Sequence, residues 1–271
     1  MIDFNDELKC FLNESPTPFH AVVAMAKRLK TVGYVELVEG EAWDLQPSGK
    51  YFTTRNDSSI AAWVMPSDIS SYGGLRMVGA HTDSPCIKVK PTPEKLVKGY
   101  MQLGVETYGG LLKAPWFDRD LSLAGRVNYR DQDGKLQSAL INFKRPIAII
   151  PSLAIHLARE EANKLEVNAQ LHLPPILGSS DEAFDFRALL KDQMLKEGIE
   201  NVADVLDYEL SFYDAQPAGI VGLNEEFIAS ARLDNLLSCF IGLYALINSN
   251  GDQASLLICN DHEEVGSQSA C

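Results

Sequence analysis

Leu75-Arg76-Met77-Val78-Gly79-Ala80-His81-Thr82-Asp83 runs from apolar residues directly into a histidine and a carboxylate. Ser255-Leu256-Leu257-Ile258-Cys259 does the same a few residues before His262-Glu263-Glu264. Each apolar run has the length and character of a buried strand. In an open α/β sheet, ligands bind beyond the carboxyl ends of the strands, which is where both polar strings fall. The two stretches predict an α/β fold with a site at its strand ends, and Arg232-Leu233-Asp234-Asn235 offers a third segment to it.

The residue types suit a pair of divalent cations. His81 can give one metal an imidazole nitrogen, while Asp83 takes the proton from the other ring nitrogen and fixes the tautomer. Glu263 and Glu264 side by side in a core would repel, and each would sooner bind a proton than stay charged. A metal removes that objection for Glu264, and Glu263 is then left free as a general base. Asp234 suits a carboxylate that bridges two ions. Taken singly, these strings are weak: H-x-D is common by chance, and a Glu-Glu pair usually lies on a solvated helix. It is the strand-like run before each that points to a site.

The chain has 271 residues, long for one domain, and two structural units are expected. Its 24 Lys+Arg against 37 Asp+Glu give a formal charge of -13. That balance argues against nucleic acid or an anionic membrane as a partner. It does not by itself favour acidic substrates, which an acidic surface repels. Cys10, Cys86, Cys239, Cys259 and Cys271 are odd in number, with no C-x-x-C pair, and read as reduced thiols of a cytoplasmic protein. The acidic start Met1-Ile2-Asp3-Phe4-Asn5-Asp6-Glu7 is unlike a signal peptide, and the apolar stretch from Leu236 to Ile247 is too short to span a bilayer.

Along the chain, Thr17 and Pro18 open a helix with Phe19, Val22, Val23, Ala26 and Leu29 on its apolar side and Gly33 beyond its end. Strands are predicted at Tyr51 to Arg55, Ile60 to Met65 and Leu75 to Ala80, and Ile87 to Pro91 alternates as a half-buried strand would. Val127 to Arg130 and Leu136 to Phe143 flank Asp133-Gly134, a hairpin signal. Leu153 to Lys164 reads as helix and Gly178 to Phe186 as a solvated loop, in which Glu182 and Asp185 are ligands by type only. Val205 to Tyr213 alternates again, and from Gly219 the α/β pattern of the N-terminal part resumes, with a helix after Asp234. Residues 92–218 read as an insertion in a domain formed by 1–91 and 219–271.

Several strings also resemble a known family. Ser15-Pro16-Thr17-Pro18-Phe19-His20-Ala21-Val22, Gly79 to Pro85, Thr107-Tyr108-Gly109-Gly110, Trp116 to Ser122, Ala231 to Asn235 and His262 to Ser267 are similar to aspartyl aminopeptidases over the whole chain. The resemblance implies a cytosolic exopeptidase with two zinc ions, a phosphorylase/hydrolase-like α/β peptidase domain and an inserted β-rich dimerisation domain. It implies peptide substrates with N-terminal Asp or Glu, and self-association into large particles. Carried over by motif, His81 and Glu264 are zinc ligands, Asp234 bridges both ions, Glu263 is the base, and Asp83 serves catalysis from behind His81. Ile150-Pro151-Ser152-Leu153-Ala154-Ile155-His156-Leu157 is similar to a segment whose histidine reaches a neighbouring subunit, which makes His156 the residue expected to bind the substrate carbonyl.

Members of that family continue past the His-Glu-Glu string and there supply a further carboxylate and a final histidine. The present sequence ends at Cys271. On this basis the zinc-peptidase domain is expected to be incomplete and the chain alone to hold zinc weakly and cleave little. Two other classes fit the residues: a non-catalytic assembly protein on the same fold, and a related two-metal deacylase.

Overall fold

The computed structural model describes residues 4–68, 73–157, 167–249, 251 and 253–266. The chain divides into two compact units, Met1–Ser84 with Pro217–Cys271, and Pro85–Gln216. Unit 1 begins with α1 (Phe4–Glu14), α2 (Pro18–Thr31), β1 (Val35–Glu36), β2 (Lys50–Arg55), β3 (Ser59–Val64) and β4 (Leu75–His81). Unit 2 follows with β5 (Cys86–Val97), β6 (Tyr100–Tyr108), β7 (Leu121–Asp131), β8 (Leu136–Asn142), α3 (Ala169–His172), β9 (Ile176–Ser179), α4 (Phe186–Lys196) and β10 (Val202–Asp214). Unit 1 resumes with β11 (Gly219–Val221), β12 (Phe227–Ala229), α5 (Leu233–Ile247) and β13 (Ala254–Asn260).

The sheet of unit 1 has the order β1-β2-β3-β13-β4. β13 enters between two strands made much sooner in the chain, antiparallel to β3 and parallel to β4. Its ladder with β4 ends at the pair Asn260↔His81, so both polar strings of the sequence leave the sheet at one place. Helix α2 has Thr17 at its N-cap and Pro18 in its first turn, where a missing N–H costs nothing. Phe19 is buried, and the helix packs Val22, Met25 and Leu29 with Leu8, Phe11 and Leu12 of α1 and Phe240, Leu243 and Leu246 of α5. These side chains share one core with Phe52, Ile60, Leu257 and Cys259 of the sheet, each large one contributing about 1.5–3 kcal/mol. Val23, placed on the buried side by its spacing, is 54% exposed, because the helix face is set by Phe19, Val22, Met25 and Leu29.

β4 departs further from expectation. It reads as a buried strand, yet Leu75, Met77 and Val78 are 41%, 62% and 47% exposed. The cause is topological: β4 is the last strand of its sheet, and only β13 pairs with it among the described residues.

Unit 2 is built on an antiparallel sheet of order β8-β7-β10-β5-β6-β9, with α4 burying Phe186, Leu190 and Met194 in its core. β5 is longer than the alternation suggests and passes through Pro91 and Pro93 by a register shift between Val89 and Glu94, as strand prolines require. The hairpin signal is met by β7 and β8, and Gly134 takes the positive φ of +80° that its turn needs. The helix expected from Leu153 does not start there: residues 155–157 form a turn, and 158–164 lie outside the described residues. Asp185 caps α4 by accepting the Ala188 N–H at 3.0 Å, a structural use for a carboxylate that is a ligand by type.

Among the described glycines of unit 2, Gly125 in β7 lies closest to a neighbouring backbone. Its φ is +153°, and a Cβ there would lie 2.0 Å from the Glu209 carbonyl oxygen of β10. Gly125→Ala is therefore expected to destabilise unit 2 by about 3 kcal/mol. A urea midpoint unchanged from that of the unsubstituted chain would show that the strands separate without cost.

Candidate metal centre

The site lies in unit 1, at the ends of β4 and β13 and the start of α5. His81 is the last residue of β4 and its ring is mostly buried. Its Nδ1 lies 3.1 Å from the Asp83 carbonyl oxygen and 3.3 Å from Asp83 Oδ1. A carbonyl oxygen can only accept, so Nδ1 carries the hydrogen and Nε2 offers its lone pair outward. That lone pair faces carboxylates: Asp234 Oδ1 at 3.5 Å and Glu263 Oε2 at 3.7 Å. An imidazole lone pair pointing at anions is unfavourable unless a cation stands between them.

The Glu263–Val265 turn follows β13 directly, with His262 before it in the left-handed region at φ 68°. Asp83 reaches across to this turn. Its buried carboxylate, 1% exposed, accepts the backbone N–H of Glu263 at 3.3 Å and of Glu264 at 3.1 Å. The sequence pairs Asp83 with the ring of His81 alone; the structure shows it tying the ring to both glutamates. Burial first, and the nearby Asp83 charge second, push the Glu264 carboxyl above its ordinary range. Crowded acids of this kind are the usual mark of a functional site.

Asp234 is set by the irregular entry to α5. Arg232 takes φ 60°, and Asp234 and Asn235 keep non-helical dihedrals, with a cis peptide between them. Arg232 anchors the entry by donating from Nε to the Ser15 carbonyl at 3.1 Å. Asn235 Oδ1 accepts the His81 N–H at 3.1 Å, and the Ser84 hydroxyl donates to the Asp234 carbonyl at 2.8 Å. Asn235, to which the sequence pattern gives no role of its own, thus docks this entry onto β4. Its position next to Asp234 in the Arg-Leu-Asp-Asn string is the available signal.

Among the described residues, one group of potential metal donors comprises His81, Glu263 and Glu264, whose ligand atoms lie within 4.8 Å of one another. Asp234 adjoins this triplet through His81 but is not part of it, and its side chain is largely exposed. One imidazole nitrogen and several carboxylate oxygens are the ligands zinc takes in hydrolytic sites, so the donor set fits that ion. His156 belongs to unit 2, exposed in the turn at 155–157, and Glu182 is also outside the triplet.

Comparison with known proteins gives the site a context. Residues 11–271 match the model of the aminopeptidase I zinc metalloprotease (M18) family. A probable M18 family aminopeptidase 2 of Pseudomonas fluorescens (strain SBW25) is 60% identical over 269 residues, 98% of this chain and 62% of the relative. The chain therefore spans somewhat less than two thirds of the length of that relative. The cryo-EM structure of the Ape4 and Nbr1 complex superposes with a TM-score of 0.92 at 35% identity, covering 98% of this chain and 55% of that one. The S. cerevisiae mApe1 dodecamer superposes with a TM-score of 0.82 at 27% identity, covering 98% and 62%.

Proposed function

The chain belongs to the M18 family, the aminopeptidase I zinc metalloproteases, and from that premise we propose that its unit 1 carries the principal part of a two-zinc aminopeptidase centre. The observation that supports this most is the convergence of His81, Glu263 and Glu264 within 4.8 Å, with Asp83 buried behind them. His81 through Nε2, Glu264 and Asp234 would hold the ions. When bound, zinc supplies Lewis-acid polarisation of the scissile carbonyl and a lowered pKa for water.

The chain's own residues do the rest. Glu263, with a largely exposed side chain beside His81, takes a proton from the attacking water and returns it to the departing amine. Asp83 keeps the His81 ring in the tautomer that presents Nε2, and holds the main chain of both glutamates. His156 is proposed to act in a neighbouring copy, where it would steady the carbonyl oxygen as negative charge develops.

The finer reading is release of N-terminal Asp or Glu, supported by the resemblance of the site strings to aspartyl aminopeptidases. Self-association, for which we propose unit 2 as the contact, is supported as such by the dodecameric state of the yeast relative. A cytoplasmic location is supported by the free thiols Cys10, Cys86, Cys239 and Cys259. None of the described helices is long and apolar enough to cross a membrane.

The test is a substrate profile on the zinc-loaded chain supplied with the remaining length of the Pseudomonas relative. Aspartyl-anilide should be cleaved faster than leucyl-anilide. A leucyl preference would overturn the acidic specificity, and failure on every aminoacyl-anilide would overturn the aminopeptidase reading itself.

A further inference from the structure

Unit 1 has seven buried polar residues among those described, Ser15, Thr17, Ser58, Ser59, Thr82, Asp83 and Asp261, and five of them lie together under the metal donors. The turn between β2 and β3 supplies Ser58, and β3 opens with Ser59. The Thr82 hydroxyl donates to the Ser58 carbonyl at 2.7 Å and lies 3.2 Å from the Asn260 carbonyl, which also accepts the Thr82 N–H at 2.7 Å. The Asp261 N–H donates to Ser59 Oγ at 2.8 Å, and Asp261 Oδ1 accepts the His262 N–H at 2.8 Å.

These bonds occupy a particular place. The β4–β13 ladder stops at His81↔Asn260, and the donors come at that step and immediately after it. The Thr82 N–H to Asn260 carbonyl bond closes that rung, and among the described residues no further β4–β13 ladder bond fixes how far His81 stands from Glu263 and Glu264. Asp83 spans the gap from one side, and the Thr82–Ser58 and Asp261–Ser59 bonds tie both strand ends to a third piece of chain. Strand ends fray when nothing holds them, and metal affinity falls when donors are held loosely.

We propose that Thr82, acting with Ser58 of the β2–β3 turn and Ser59 at the start of β3, is a positioning residue that sets the spacing between the imidazole of β4 and the glutamates after β13. Its hydroxyl touches neither a metal nor a substrate. It acts through the strand ends, and the inference rests on the metal-centre reading given above.

A merely structural hydroxyl would affect folding alone, so the test must read the site in molecules that are folded. Thr82→Val removes the hydroxyl while keeping the shape, and Thr82→Ser retains it. Zinc affinity of the chain supplied with the remaining length of the Pseudomonas relative would be measured against a competing chromophoric chelator and scaled to the folded fraction found by circular dichroism. Thr82→Val should bind zinc about 10–100-fold more weakly than the unsubstituted chain, and Thr82→Ser should restore most of the loss. If the unsubstituted chain binds zinc and Thr82→Val matches it per folded molecule, the positioning role is overturned and the metal centre stands. If the unsubstituted chain, supplied with that remaining length, takes up no zinc, the metal-centre reading fails and this inference falls with it. Should Thr82→Val not fold, Ser59→Ala, which leaves the Asp261 N–H unpaired, is read by the same criteria.

Discussion

Glu263→Gln is expected to reduce peptide hydrolysis by about 100- to 10,000-fold while zinc content stays nearly constant. The amide has the size of the carboxylate but cannot accept a proton from water at neutral pH. The exposed Glu263 side chain keeps room in front of it, whereas Glu264 is half-buried beside the His81 and Asp83 pair. The experiment needs the chain supplied with its relative's remaining length, assayed on an aminoacyl-anilide, with metal measured on the same sample. Because Glu263 also belongs to the donor triplet, the outcome is informative in either direction. Loss of zinc in step with loss of turnover would make Glu263 a ligand and move the base elsewhere.

His81→Ala should weaken zinc binding by more than about 100-fold, beyond the loss typical of a residue that only supports a ligand. His81 supplies the one imidazole of the triplet, and its Nε2 is the atom on which Asp234 and Glu263 both converge. Its backbone bond to Asn235 does not depend on the side chain, so the entry to α5 should keep its place. The loss should appear in a chelator titration without a comparable fall in the unfolding midpoint of the metal-free protein. Unchanged affinity would remove β4 from the centre and leave the glutamates to be explained otherwise.

Much of this centre is legible in the sequence because it follows directly on two strand-like runs. β13 behaves as its composition suggests, and Glu263 and Glu264 emerge at its end. The proline-capped helix and the Asp133-Gly134 hairpin are legible for the same reason, since short-range backbone chemistry decides them. What the sequence hides depends on partners remote along the chain. The exposure of β4 is decided by its place in the sheet, which no local pattern encodes. Thr82 and Ser58 are 24 residues apart, and Ser59 and Asp261 are 202 apart, so each looks like a solvated turn residue until the fold joins them. The non-helical stretch at residues 155–157 shows the limit of periodicity where an apolar run includes Leu153, Ile155 and Leu157, all well exposed.

The position of β13 bears on how the molecule comes into being. Ile258 lies between Ala61 and Gly79, and every residue of unit 2 is synthesised before that rung can close. Such distant pairings carry a large loop-closure entropy and form slowly, whereas the hairpins of unit 2 need only near neighbours. A nascent chain therefore holds β3 and β4 without their shared neighbour while the whole of unit 2 emerges from the ribosome, their apolar faces bare and prone to stick. Histidine and glutamates meet only after β13 has been made, so a copy that stops short of it has no donor triplet with which to capture an ion.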